Sequence, residues 1–135
     1  MSFERIHLLI RRARGFLEGA LFHFRRGGYD IAVFNLEQAL QLYLKAVLLK
    51  LTGYYPEVHS IRTLLSHIYE QTGDKRIPEF TERYRFALAL IEHAYTGTRY
   101  GDMRFDRDTA KRLLNIGVKC LQLVAKATSM EDITK

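Results

Sequence analysis

Residues 30–52 read DIAVFNLEQALQLYLKAVLLKLT, and this stretch decides the fold. Its apolar residues fall on nearly every side of a 3.6-residue period, which is typical of a helix that is surrounded by other helices. Asp30 is a good N-cap residue, and Gly53 follows the stretch as a typical helix stop. We therefore expect a long central helix that is covered by neighbouring segments.

The rest of the chain supplies those neighbours. Four further helices are predicted, over residues 3–26, from residue 59 or 60 to about 72, from 78 to 95, and from an Asp106 cap onward. Residues 96–105 show no periodicity and are expected to form a loop. No segment of strand length alternates apolar and polar residues. The sequence predicts an all-α fold, a five-helix antiparallel up-and-down bundle.

Length and composition indicate one globular domain. The chain has 135 residues, 47% of them hydrophobic, so we expect a single domain over residues 1–128 and a frayed tail over 129–135. Its single cysteine, Cys120, cannot form an intramolecular disulfide, which fits a reducing cytoplasm. The first residues lack the apolar core of a signal peptide or membrane span. We expect a soluble cytoplasmic protein.

The net charge of +6 favours phosphate-bearing partners. Two basic clusters carry much of this charge, and each could hold an RNA backbone. They could equally be solvated faces balanced by nearby acids, and both readings stay open. The clusters comprise Arg11, Arg12, Arg14, Arg25 and Arg26 near the first helix, and Arg104, Arg107, Lys111 and Arg112 near the last.

The segment from Arg99 to Asp102 combines residue types that a nucleotide site uses. An arginine such as Arg99 offers a planar fork to phosphate, Tyr100 offers a stacking face, and Gly101 allows close backbone approach. The alternative is structural, with Asp102 pairing with Arg99 and Tyr100 packing on the bundle. Arg104 is a further phosphate candidate in the same segment.

Three polar residues, Glu37, Gln41 and Lys45, recur every four positions on the central helix. Such a ladder most simply solvates one side of a helix. If it instead faces the Arg99 segment, Lys45 could contact phosphate. His59 is expected to cap a helix or shape the turn before it, because the sequence shows no partner for catalysis. The five histidines have no metal-ligand spacing, so we expect no metal site.

Several segments, in order, resemble the HEPN domain family. Residues 29–46 resemble its second helix, in which a Gln/Glu-Ala pair precedes Lys-Ala, and residues 58–65 resemble its histidine-led third helix. Residues 98–102 resemble its Arg-Tyr-Pro-Asp loop, with Gly101 in place of proline. Asp108-Thr109-Ala110 and the apolar helix after it complete the order. The resemblance covers roughly residues 5 to 127.

The resemblance implies a helical bundle, often a homodimer, found mainly in prokaryotes beside small nucleotidyltransferases, in toxin–antitoxin pairs, or as ribonucleases. The ribonuclease branch carries an arginine and a histidine four to six residues apart, and no histidine follows Arg99 at that distance. Arg62 and His67 have a suitable gap, but on one helix they would point about 140° apart. This departure places RNA cleavage in doubt.

The leading hypothesis is a homodimeric accessory module without catalytic residues, cofactor or metal, which binds a nucleotide or presents a substrate to a separately encoded nucleotidyltransferase. Its candidate site residues are Arg99, Tyr100, Asp102 and Lys45, followed by Glu37, Gln41, His59 and Arg104. One alternative is a metal-independent ribonuclease toxin. The other is a helical dimerisation scaffold that takes no small ligand.

Overall fold

The computed structural model describes residues 3–135, apart from the side chain of Arg99, and the described part is all-α. The all-α prediction is confirmed, but the count of five helices is wrong, because the described residues form six. The helices are α1 (Phe3–Arg25), α2 (Tyr29–Thr52), α3 (Ile61–Thr72), α4 (Arg76–Arg83), α5 (Arg85–Tyr100) and α6 (Arg107–Thr128).

Helix α2 lies at the centre of the bundle, as its sequence predicts. It packs against α1, α3, α5 and α6, and side chains such as Leu36, Leu40 and Leu44 are fully buried. Each leucine of this kind stabilises the fold by about 1.5–3 kcal/mol relative to an exposed position. Four helices thus surround α2, whereas α4 packs on α3, α5 and α6.

Three helix ends follow the sequence signals, whereas the start of α2 does not. Gly53 adopts the left-handed conformation after α2, while Ser60 and Asp106 accept backbone hydrogen bonds at the starts of α3 and α6. Asp30, the expected N-cap of α2, lies inside its first turn instead. Its Oδ1 accepts a hydrogen bond from the Phe105 amide at 3.0 Å, so Asp30 ties the segment before α6 to α2.

The additional helix arises from a break at Tyr84, where one helix was expected from 78 to 95. Tyr84 has φ −111° and ψ 26°, outside helical values. Its ring packs on Phe80, with 4.8 Å between ring centroids. The break lets α4 cross α3 and α6 while α5 packs along α2. No proline or glycine marks this position, so the periodicity alone predicted a continuous helix.

The loop expected over residues 96–105 is shorter than predicted, because α5 continues to Tyr100. Arg99 and Tyr100 therefore lie in the last helical turn. Gly97 permits this packing, since a Cβ there would lie 3.0 Å from the Met103 side chain. The non-helical segment folds back against the end of α5.

Residues 129–135, expected to fray, pack against the bundle. Ile133 is buried, and the Tyr43 hydroxyl donates to the Glu131 carbonyl at 2.8 Å. Arg14 forms an ion pair with Glu131. The expectation of fraying is wrong because an apolar residue and two partners on α1 and α2 anchor the segment.

Among the described helices, none is long and apolar enough to cross a lipid bilayer.

Candidate functional site

The polar ladder of α2 is buried rather than solvated. Glu37 is 0% exposed and Gln41 is 4% exposed. The expectation of a solvated stripe is wrong for these two residues, because the beginning of α3 and the middle of α5 cover this side of α2. Two polar side chains thus lie inside an otherwise apolar core, which is costly unless their hydrogen bonds are satisfied.

Only part of their hydrogen-bonding capacity is used within the described residues. Glu37 Oε1 accepts from Gln38 Nε2 at 2.7 Å, and Gln41 Nε2 donates to the carbonyl of His59. Glu37 Oε2 and Gln41 Oε1 are buried and have no hydrogen-bond partner there. A buried acceptor left in this state costs about 1–3 kcal/mol. The two oxygens are therefore suited to accept hydrogen bonds from N–H or O–H groups of a ligand.

Burial changes the protonation of Glu37. Desolvation raises the pKa of its carboxyl from 4.5 to about 7, although the Gln38 and Gln41 amides and the Lys45 charge lower this pKa in part. The pKa is also raised by the nearby charge of Glu92. Glu37 consequently changes charge close to neutral pH. Its protonation state determines whether the carboxyl group donates a hydrogen bond or only accepts hydrogen bonds.

An aromatic pair lies beside this cluster. The rings of His59 and Tyr95 stack with 4.7 Å between centroids and 23° between planes. His59 is exposed and Tyr95 is half-buried. The expected capping role of His59 passes to Ser60, which caps α3, whereas the His59 backbone carbonyl receives Gln41. The ring pair forms a flat polar surface next to the two buried residues.

The Arg62–Glu92 pair fixes α3 against α5. Arg62 Nη2 lies 3.0 Å from Glu92 Oε1, Nε donates to Oε2 at 3.1 Å, and the Arg62 amide donates to the same Oε2 at 3.0 Å. This bonding raises the pKa of Arg62 above its usual range. His67 pairs with Glu70 at 3.3 Å instead. Arg62 and His67 therefore serve separate partners, and the structure does not bring them together as a catalytic pair.

The remaining candidates lie at the edge of the cluster or outside it. Lys45 Nζ lies 5.4 Å from the centre of the Tyr55 ring, a cation–π contact. Tyr100, Asp102 and Arg104 are exposed. The backbone of Arg99 lies in α5, one turn after Tyr95, but its side chain, and so its expected pairing with Asp102, falls outside the described residues.

Sequence reasoning missed Tyr95 and Glu92. A tyrosine among apolar helix residues, such as Tyr95, usually packs in the core, and one carboxylate in a helix, such as Glu92, is usually solvated. A signal was present, since residues 92, 95 and 99 recur at the three-and-four spacing of one helix face. That face turns toward the start of α3 and the ladder of α2.

Comparison with known proteins gives one match. A family model described as HEPN domain matches residues 6–127, which includes every helix position in the cluster. No curated protein and no solved structure matches the chain.

Proposed function

Because the chain belongs to the HEPN domain family, we propose that it is a nucleotide-binding accessory module. It works as a homodimer beside a separate nucleotidyltransferase, in a setting such as a toxin–antitoxin pair. The partner enzyme and the setting follow from the family resemblance. The observation that carries nucleotide binding is the pair of unpartnered buried oxygens, Glu37 Oε2 and Gln41 Oε1, beside the stacked His59 and Tyr95 rings.

Base recognition draws on both parts of the cluster. Amino and ring N–H groups of a nucleobase are donors, and carboxylate and amide oxygens are their natural acceptors. An aromatic surface adds stacking, which contributes about 1–3 kcal/mol per base. His59 is the exposed member of the ring pair, so a base approaches from its side and reaches Gln41 and Glu37 when His59 shifts.

The phosphate group is assigned to the end of α5. Arg99 follows Tyr95 by one helical turn, and Tyr100 and Asp102 are exposed around it. Arginine binds phosphate through paired N–H groups, and Lys45 adds a second positive charge near Glu37. Arg104 lies in the same non-helical segment. Base and phosphate contacts are thus assigned to α2, to the end of α5 and to the segment before α3.

Calorimetric titration of ATP tests this proposal. The native chain is expected to bind saturably, and His59→Ala and Arg99→Ala are each expected to weaken binding at least about tenfold, which corresponds to about 1.4 kcal/mol. Arg12→Ala is the matched control, because it removes an exposed arginine from α1. Absence of heat with ATP and GTP in the native chain would leave the dimerisation-scaffold alternative in its place.

The ribonuclease alternative has less support. In the described residues Arg62 is held by Glu92 and His67 by Glu70, and the sequence has no histidine four to six residues after Arg99. Metal-independent cleavage of RNA by the pure protein, lost in Arg99→Ala, would restore this alternative.

A further inference from the structure

A groove runs along α6, on a side of the bundle that shares no residue with the polar cluster. It lies between α6 and the junction of α4 with α5, and consists of four adjoining hollows of 380 to 520 Å³. Each hollow shares lining residues with the next. Along the groove, Arg112 is common to the first two hollows, Tyr84 and Lys119 to the second and third, and Arg76 to the third and fourth. From residue 108 to residue 126, α6 extends about 27 Å along the groove.

Five of the cations that line the groove have no acidic partner among the described residues. Lys111, Arg112, Lys119, Arg83 and Lys126 all line it. Across the described residues, none of these five lies within ion-pair distance of a carboxylate, whereas Arg14, Arg62 and Arg76 do. Unpaired cations along a concave surface raise the local positive potential and attract a polyanion.

The acids of the groove do little to neutralise it. The Asp108 side chain is 96% exposed and lies 3.8 Å from Arg107, at the edge of the ion-pair range. Asp132 accepts hydrogen bonds from Thr134. Glu79 is the remaining carboxylate among the residues that line the four hollows. The cations of the groove thus outnumber the acids.

Aromatic rings are interleaved with these cations. Tyr84 lies between Arg83, whose Cζ is 5.4 Å from the ring centre, and Lys119, whose Nζ is 5.9 Å away. Phe86, at the end of the groove, is 82% exposed, and Arg85 lies 5.3 Å from its ring centre. An exposed phenylalanine is unfavourable in water but provides a stacking face for an unpaired base.

We propose that this α6 groove binds single-stranded nucleic acid, with the cations on the phosphates and Phe86 stacked on a base. A paired duplex keeps its bases inside, so the exposed ring favours a single strand. An acidic protein segment would use the cations but would gain much less from the ring. The proposal is independent of the nucleotide site, because the two share no residue.

Fluorescence anisotropy with a labelled oligouridylate of about 12 nucleotides tests the groove, a length comparable to known single-strand sites. Arg112→Gln/Lys119→Gln is expected to weaken binding at least about tenfold and to lower the slope of log K against log salt by about 1.4, or 0.7 per lost phosphate contact. The matched control is Arg11→Gln/Arg12→Gln, which removes two exposed charges from α1. It is expected to change binding by no more than about twofold.

Phe86→Ala separates a nucleic acid from an acidic protein. This ring is exposed, so the variant should fold normally, and it is expected to weaken oligouridylate binding about fivefold or more while leaving polyglutamate binding unchanged. Equal losses of oligouridylate affinity in the α6 and α1 double variants would overturn the proposal, because they would show nonspecific attraction to the whole positive surface. No binding at about 50 mM salt, or an affinity that ignores Phe86, would overturn it as well.

Discussion

Glu37 is a carboxyl group that the sequence places on a helix and the fold places in the core. Its neighbours satisfy Oε1 but leave Oε2 without a partner among the described residues. Ionising such a group costs more than ionising it in water, because the apolar surroundings cannot replace the lost hydration. A carboxyl kept in this position lowers the stability of the free protein, as expected at sites that serve binding.

Glu37→Gln is expected to stabilise the protein at alkaline pH and to flatten its pH dependence. The pKa of Glu37 is about 7 in the folded chain and 4.5 as a reference value, so the folded state holds the proton more tightly. Stability is therefore full below about pH 4.5, falls as pH rises toward 7, and stays low above it. The loss amounts to about 3 kcal/mol. The glutamine variant lacks it.

Urea unfolding between pH 5 and pH 8 measures this difference. Glu18→Gln removes one exposed carboxylate from α1 and serves as the control, expected to run parallel to the native chain. Parallel curves for Glu37→Gln and the native chain would show that Glu37 is solvated or paired in solution.

The burial of Glu37 and Gln41 could not be predicted from the ladder itself. A polar residue every fourth position looks the same in sequence whether that face meets water or another helix. Whether this face of α2 is buried depends on where α3 and α5 lie. Their positions follow from packing over the whole chain. His59 and Tyr95, 36 positions apart, meet for the same reason.

At the scale of elements, α2 and α6 approach closely at Gly117. A Cβ at this glycine would lie 2.5 Å from Leu36 Cδ1 and 2.8 Å from Cδ2. Leu36 is fully buried, so its side chain has little room to move. Close packing of this kind fixes the position of α2 relative to α6. It therefore also fixes the polar ladder of α2 relative to the α6 groove.

Gly117→Ala is therefore expected to destabilise the fold by about 1–2 kcal/mol. Overpacking costs about 1–3 kcal/mol, and the better helix propensity of alanine offsets up to about 1 kcal/mol. Gly15→Ala is the matched control, since its Cβ would meet nothing within 4 Å, and it should stabilise α1. In the double variant Leu36→Ala/Gly117→Ala, the loss of unfolding free energy should be smaller than the sum of the losses in the two single variants. Additive losses in urea unfolding would contradict the contact.

The elements themselves were largely predictable. The apolar pattern of α2, the glycine stop after it and the Asp106 cap are local signals, and the structure follows each of them. The break at Tyr84 and the extension of α5 to Tyr100 were not predictable, because they depend on contacts with Phe80 and Met103. Local chemistry determines where most helices begin and end, whereas tertiary packing determines where they bend.

At the scale of the whole molecule, the anchored C-terminal segment joins the first and last helices. Arg14 of α1 pairs with Glu131, and Gln122 of α6 donates to Thr134 at 3.2 Å. Ile133 is buried among the core residues. The sequence offered little sign of this, since seven mostly polar residues after a helix usually fray.

Homodimerisation, which the proposed function includes, is the prediction that concerns the whole molecule. The joined ends of α1 and α2 carry three exposed apolar side chains, Leu21, Phe22 and Ile31. A standard interface buries about 800 Å² on each partner, roughly a tenth of the 7696 Å² accessible surface, so a modest patch suffices. Light scattering at micromolar concentration is expected to give twice the 15.8 kDa chain mass.

Phe22→Glu is expected to weaken this dimer at least about tenfold, because it would bury an unpaired charge at the interface. Phe86→Glu, a matched change on the groove side, should leave the dimer intact, because Phe86 lies between α5 and α6, away from the Leu21, Phe22 and Ile31 patch. Measuring molar mass against concentration for all three chains compares them directly. A native chain that is a monomer at every concentration would contradict the dimer itself. A dimer that resists Phe22→Glu but dissociates with Phe86→Glu would instead place the interface on the α6 groove. Dimerisation would then compete with binding of single-stranded nucleic acid.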